Sequence, residues 1–445
     1  MFKKILNRLS LFALIFSLVI LASGCGEEPV QPEPISSQDR DFVNELKLDM
    51  STESLKQEVT VKIYIDGDTT HFYVPSSINE SGVLKARYLA INTPESTGKI
   101  EEWGKKASKF TKEKLSNATS IIIESDDNNW NIDSTGGRYL VWVWYRTSET
   151  EDYRNLNLEI LQNGLAIASN SQQNRYGDYC VAAINQARKN KLNVYSGEKD
   201  PDFFYGDAYE LTLKELRLHI EDYDNCKVAF EGNIIKNSDN SIYLEDYDEE
   251  TGLNFGMTVY LGYNLSGEGL SIVNTGNRAR IVGTVQYYEA GGTYQVSGLQ
   301  YRVMKPDDPS NIQLIRTGVS ATYPVLDADY FLNGSESIID EETGETKSIL
   351  VKEAMMNTSI EMHNLKVKSI YTTTSDTDSN GAMTLTCEVD GITISVRTIV
   401  LRNEDGSVIT KDKYEGKTID VKGLVDFYDG KYQIKVFLPS DIIIH

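Results

Sequence analysis

Glu58-Val59-Thr60-Val61-Lys62-Ile63-Tyr64-Ile65 alternates β-branched and polar side chains and runs straight into Asp66-Gly67-Asp68. Period-two alternation closed by residues that tolerate tight backbone turns predicts a half-buried strand ending at a turn. Outward from it, Thr70 to Val74 reads as a second strand, and Val83 to Ile91 as a third, stopped by Asn92-Thr93-Pro94. Trp103, Ala107, Phe110 and Lys114/Leu115 fall at helical spacing, which predicts an amphipathic helix over about 101–116. Ser120 to Glu124 is a strand, and Gly136-Gly137 turns into another, Arg138 to Tyr145. Leu156 to Gln162, closed by Gly164, and Asp178 to Lys189 read as helices. Five strands, with one helix inside the series and two at its end, describe a small barrel with packed helices. Trp103, Trp142 and Trp144 are expected in its core or on its surface.

The same stretch carries a set of residues suited to phosphodiester chemistry. Cleaving that bond needs positive charge or donors against the phosphate oxygens, a base for water, and groups that hold the phosphate in register. Asp68 sits at a strand end, where a short carboxylate can reach a hard cation. Asn92 offers an amide oxygen and Thr93 a backbone carbonyl, and Asp66 is a further candidate. Calcium takes oxygen ligands of these kinds. Glu95 follows a Thr-Pro turn that fixes its direction. Arg87 and Arg138 come from separate strands and can present planar forks to phosphate oxygens. Arg87 and Asn92 have opposite strand parity, so they share a site only if the chain bends between them, and Thr93-Pro94 supplies a reason for a bend. Taken singly, Asp66 and Asp68 also suit a turn, and each arginine a strand edge.

In order along the chain, Asp66-Gly67-Asp68-Thr69, Arg87 with Asn92-Thr93-Pro94-Glu95, and Gly137-Arg138 resemble segments of the staphylococcal-nuclease (thermonuclease) family. So do Trp103-Gly104 with Ala107-Ser108-Lys109-Phe110-Thr111, Asn163-Gly164-Leu165-Ala166, and Ala187 to Tyr195. The resemblance covers about 57–196, a third of the chain. It implies an OB-fold barrel with helices and a calcium-dependent nuclease acting on DNA or RNA, with 3′-phosphate products. It further implies Asp68 and the Thr93 carbonyl as calcium ligands, Glu95 as general base, and Arg87 and Arg138 as phosphate clamp. Two departures stand out. Asn92 occupies the place of a second calcium-binding aspartate, which predicts weaker calcium affinity. Ser169 to Asn174 replace the family's base-stacking tyrosines, and Tyr176 lies nearby without a clear role.

Beyond the Gly197 to Tyr209 linker the pattern turns mostly β. Arg280 to Tyr288 lines up with Asp420 to Tyr428, and Gly292 to Val296 with Gly430 to Ile434. This internal repeat predicts two similar β modules that resemble OB-folds. Tyr287-Tyr288 and Phe427-Tyr428 suit either packing, a protein partner or base stacking. The fold class expected is therefore mainly β with helices: one OB-fold nuclease barrel followed by two OB-like β-barrel modules.

At the other end, Met1-Phe2-Lys3-Lys4 and Arg8 precede the apolar run Leu9 to Leu21, which ends in Leu21-Ala22-Ser23-Gly24-Cys25. A basic segment, a short apolar core and small residues before a cysteine resemble the lipobox of bacterial lipoproteins. That implies lipidation of Cys25 and an extracytoplasmic protein anchored to the cell membrane, on a Gram-positive bacterial surface. The expected division is 1–24 signal peptide, 25–56 lipidated cysteine and flexible linker, and 57–196 thermonuclease-like domain. Then come 197–210 linker, 211–315 first module, 316–349 connector and 350–445 second module.

The net charge of −22 is unevenly spread. Residues 197–445 hold 22 basic and 41 acidic side chains, whereas 57–196 hold 16 and 17, close to neutral. An acidic chain can thus keep a local basic site in its first barrel, while its C-terminal half suits a surface partner of unidentified kind. Cys180, Cys226 and Cys387 are too far apart for a disulfide framework or a zinc spacing, and the four histidines form no metal motif. Two further readings compete with an active enzyme: a catalytically dead barrel that binds nucleic acid, and a surface interaction protein working through its acidic modules.

Overall fold

The computed structural model describes residues 39–445 apart from 98–99, 136, 239, 263–264, 290, 341–343 and 376. Cys25 and the apolar run before it lie outside the described residues. Among the described residues no helix is long and apolar enough to cross a membrane.

The strand Lys56–Asp66 pairs antiparallel with Thr69–Tyr73 on one edge and Ser120–Glu124 on the other. Thr69–Tyr73 pairs with Val83–Tyr88, and Ser120–Glu124 with Tyr139–Arg146. The cycle closes where Val83–Tyr88 runs parallel to Tyr139–Arg146, matching Ala86 to Tyr139 and Arg87 to Leu140. This is a closed five-stranded OB barrel, and the predicted strands and helices are all present. Buried side chains such as Phe72, Leu84, Ile123, Val141 and Val143 form its core.

The helix Gly104–Ser116 sits between the third and fourth main strands, and Leu156–Gln162 and Gly177–Lys189 pack together against the barrel. Trp142 and Trp144 are fully buried, and Tyr176 meets both edge-on while its hydroxyl donates to Glu124 Oε2 at 2.9 Å. Tyr176 is therefore a packing residue.

The stretch before the barrel is not wholly a tether. Phe42–Glu45 forms a short helix, and Phe42, Val43 and Leu46 are buried in the barrel's core. Each such side chain contributes about 1.5–3 kcal/mol when removed from water, enough to dock so short a segment.

The same pairing cycle recurs twice. Lys227–Asn237, Ser241–Asp248, Leu253–Tyr260, Asn277–Tyr288 and Thr293–Ser297 form a second barrel, closed by a parallel contact of Val259 with Val296. Ser359–Thr372, Met383–Val389, Ile392–Thr398, Thr418–Tyr428 and Lys431–Val436 form a third, closed by parallel pairing of Val396 with Ile434. The sequence repeat is the last hairpin of each barrel. The second and third barrels share one continuous hydrophobic core. Buried Glu245 of the second accepts from Ser359 N at 2.7 Å and Ser359 Oγ at 2.9 Å in the third.

Candidate active site

The turn after the first strand is built for close approach. A Cβ on Gly67 would stand 2.8 Å from Thr93 Cγ2 and 2.9 Å from Ala107 Cβ, so only glycine lets the turn press against the helix and the Thr93 loop. Thr111 Oγ1 on that helix donates to Gly67 O at 2.6 Å. Asp68 is thereby held fully buried at the barrel's end.

The Asp68 carboxylate accepts from three donors. Thr93 N donates to Oδ2 at 2.8 Å, Thr69 Oγ1 donates to Oδ1 at 3.0 Å, and the Arg87 guanidinium donates to Oδ1 as well. The other Arg87 terminal nitrogen donates to Asn92 Oδ1. One guanidinium fork thus bridges Asp68 and Asn92.

The parity conflict between Arg87 and Asn92 is resolved earlier than the sequence suggests. The third strand ends at Tyr88, and Ala90 adopts a left-handed φ of 69°. That conformation costs an L-residue roughly 1–2 kcal/mol and is held by the buried surroundings of Ala90. The chain restarts as Ile91–Asn92, paired with Ile167–Ala168, and this brings the Asn92 amide under Arg87. The bend lies at Leu89-Ala90, not at Thr93-Pro94.

Glu95 lies half-buried on the loop that follows. Glu101 N donates to Glu95 O at 2.9 Å, and Glu95 N donates to Glu101 Oε2 at 3.2 Å, closing the loop on itself. A Cβ on Gly104 would stand 2.3 Å from Glu95 O, so the helix N-terminus can approach this loop only through glycine. Burial first, and then the Asp68 charge, raise the Glu95 carboxyl above the usual carboxylate range, against the pull of Arg87; Glu101 raises it further and Arg138 lowers it. Burial, with Asp68 and Glu95 beside it, pushes Asp66 up to about 7. Asp68 N donates to Asp66 Oδ1 at 3.2 Å.

Arg138 is placed differently from Arg87. Its Nε donates to Asp133 Oδ2 at 2.8 Å, and its Nη2 stands 2.7 Å from the same oxygen. It bears on Glu95 through its charge while it is tethered to Asp133. Asp133, Glu101 and Ala90 are the residues sequence reasoning missed. A spacing rule would have found none of them, since each acts through a turn.

The donor set around Asp68 suits a hard divalent cation. Asp68, Asp66, the Asn92 amide and the Thr93 carbonyl are all oxygen donors, and burial first, then the charges of Asp68 and Glu95, raise Asp66. Among the described residues, no three His, Cys, Asp or Glu side chains converge as a metal cluster. A calcium ion would therefore depend on the amide and carbonyl oxygens, and would compete with Arg87 for Asp68 and Asn92. Residues 85–197, from the strand that bears Arg87 through both packed helices, match the family model described as Staphylococcal nuclease homologue, and the chain carries a domain of that family.

Proposed function

We propose that this protein is a calcium-dependent nuclease that hydrolyses phosphodiester bonds in DNA or RNA, leaving 3′-phosphate ends. The observation that carries this reading is the Arg87 fork on Asp68 and Asn92 beside a half-buried, proton-affine Glu95. A nuclease-like hydrolase is the family-level expectation for residues 85–197.

Calcium, held by Asp68, Asn92 and the Thr93 carbonyl with Asp66 nearby, would supply positive charge against the phosphate oxygens. Glu95 takes a proton from water, and burial with the nearby Asp68 charge raises its proton affinity, which suits a base. The bonds to Asp68 and Asn92 use two of the five guanidinium N–H groups of Arg87, and those to Asp133 use Nε and Nη2 of Arg138, so each arginine keeps donors for a phosphate. Both arginines then hold the phosphate in register for in-line attack.

We further propose that Cys25 carries a lipid that anchors the enzyme outside the cytoplasm. A Cys25→Ser variant then leaves the membrane fraction; equal recovery there sinks this proposal. The function is tested by calcium-dependent release of acid-soluble nucleotides from the purified chain. Binding without cleavage at saturating calcium would favour a catalytically dead binding protein instead, a reading that the engaged state of Arg87 would then explain.

A further inference from the structure

The last hairpin of the second barrel reaches back to the Glu95 loop. Gln286, on the strand Asn277–Tyr288, donates through Nε2 to the Ser96 carbonyl, one residue past Glu95. The amide has only one sensible orientation. The Ser96 carbonyl can only accept, so the NH₂ end must face it, and the hydroxyl of buried Ser297, on the partner strand, then donates to Gln286 Oε1. Further along the hairpin Glu289 pairs with Lys112 of the helix Gly104–Ser116, and its charge also reaches Tyr64, two residues from Asp66. The far end of the loop is gripped as well: Trp103 N donates at 2.5 Å to Asp200, a buried residue of the expected linker.

The third barrel provides an internal control. At the position matching Gln286 it has Asp426, and Gln433 Nε2 donates to that carboxylate at 2.7 Å within the same hairpin. At the position matching Ser297 it has Lys435. The hairpin fold therefore does not need the Gln–Ser pair. The second barrel carries that pair where its hairpin meets the candidate active site.

We infer that the second barrel positions the Glu95 loop, with Gln286 as the positioning residue acting through the Ser96 carbonyl. The inference rests on the reading of Glu95 as the base. Loss of the contact frees the loop at its start, while Glu101 and Asp200 still hold its end. Substrate affinity then changes little, but the fraction of time Glu95 spends in productive geometry falls.

The test uses the full chain as wild type, Gln286→Ala, Gln286→Lys, Asp426→Ala and Glu95→Gln. Two readouts are taken: amide hydrogen exchange across residues 95–103, and kcat and KM on single-stranded DNA at saturating calcium. In Gln286→Ala, loop exchange should rise and kcat fall, each by about tenfold, with KM unchanged; one net hydrogen bond has about that worth. Gln286→Lys keeps a donor for the carbonyl and should recover much of both. Asp426→Ala should alter neither. Wild-type exchange in Gln286→Ala overturns the contact, and faster exchange with undiminished kcat overturns the positioning role. Glu95→Gln separates this failure from that of the wider reading. If its turnover falls while Gln286→Ala is fully active, the enzyme stands and the inference fails. If Glu95→Gln is fully active, the assignment of the base fails, and loop exchange alone decides the contact.

Discussion

Arg87 is ion-paired with Asp68 in the turn just before Thr69, its partner on the neighbouring strand, so the residue expected to bind phosphate neutralises the residue expected to bind metal. A cation and an arginine contest the same carboxylate, and Asn92 shares in the contest. Aspartate at 92 would add a formal charge to this oxygen set. Calcium affinity follows ligand charge count, so Asn92→Asp should lower the calcium concentration for half-maximal cleavage, with little change at saturation. A calcium titration of cleavage rate decides it; an unmoved midpoint removes Asn92 from the ligand set.

Glu95→Gln should do the reverse. The amide fills the same space and keeps the loop's backbone contacts, but it takes no proton. Turnover should fall by roughly 10²–10⁴, the usual worth of a positioned base, with the calcium midpoint nearly unchanged. Full turnover in this variant would dismiss Glu95 as the base.

The described thiols should differ sharply in reactivity. Burial, with a lesser push from Asp126, raises Cys180 to about 12, and burial alone raises Cys387 to about 12. At pH 8 only about one in ten thousand of either is thiolate, and neither is accessible. Cys226 is partly exposed, raised by burial and Asp224 but lowered by Lys105. A disulfide reagent on the native chain should modify Cys226 and spare the other two, as peptide mapping would show. Labelling of Cys180 as fast as Cys226 would mean that the packed helices open readily.

The first three strands were legible because Val59, Phe72 and Leu84 are buried beside less buried neighbours, and the last two because Ser120–Glu124 and 141–145 are short runs buried throughout and rich in β-branched and aromatic residues. The repeated hairpins were legible for the same reason, with the glycine at the turn of each. The Leu89-Ala90 bend was not, because alanine carries no turn signal and its φ is imposed by packing. Docking of Phe42, Val43 and Leu46 was hidden in a stretch too short and too charged to show a period. Gln286 could not be read at all, since its partner lies 190 positions away.

Asn157 ties the strained bend to the barrel, and its loss should be costly. Fully buried, its side chain accepts from Val143 N at 2.9 Å and donates to Leu89 O at 3.0 Å and Val141 O at 3.1 Å. It thereby spans the gap between the fifth main strand and the chain just before Ala90. Asn157→Leu keeps the volume but strands Val143 N and Leu89 O in a dry interior, while Val141 O keeps its bond from Leu89 N at 2.9 Å. Each orphan costs about 1–3 kcal/mol, so the barrel should lose on the order of 2 kcal/mol or more. All four tryptophans, Trp103, Trp130, Trp142 and Trp144, belong to this barrel, so their fluorescence follows its unfolding apart from the other two. With a urea slope of about 2 kcal/mol per molar, the midpoint should fall by roughly 1 M. The bend also sets Asn92 beneath Arg87, so calcium dependence should weaken in the fraction that stays folded. A midpoint equal to wild type would show that Val143 N and Leu89 O find other partners and that Ala90 is held by packing alone.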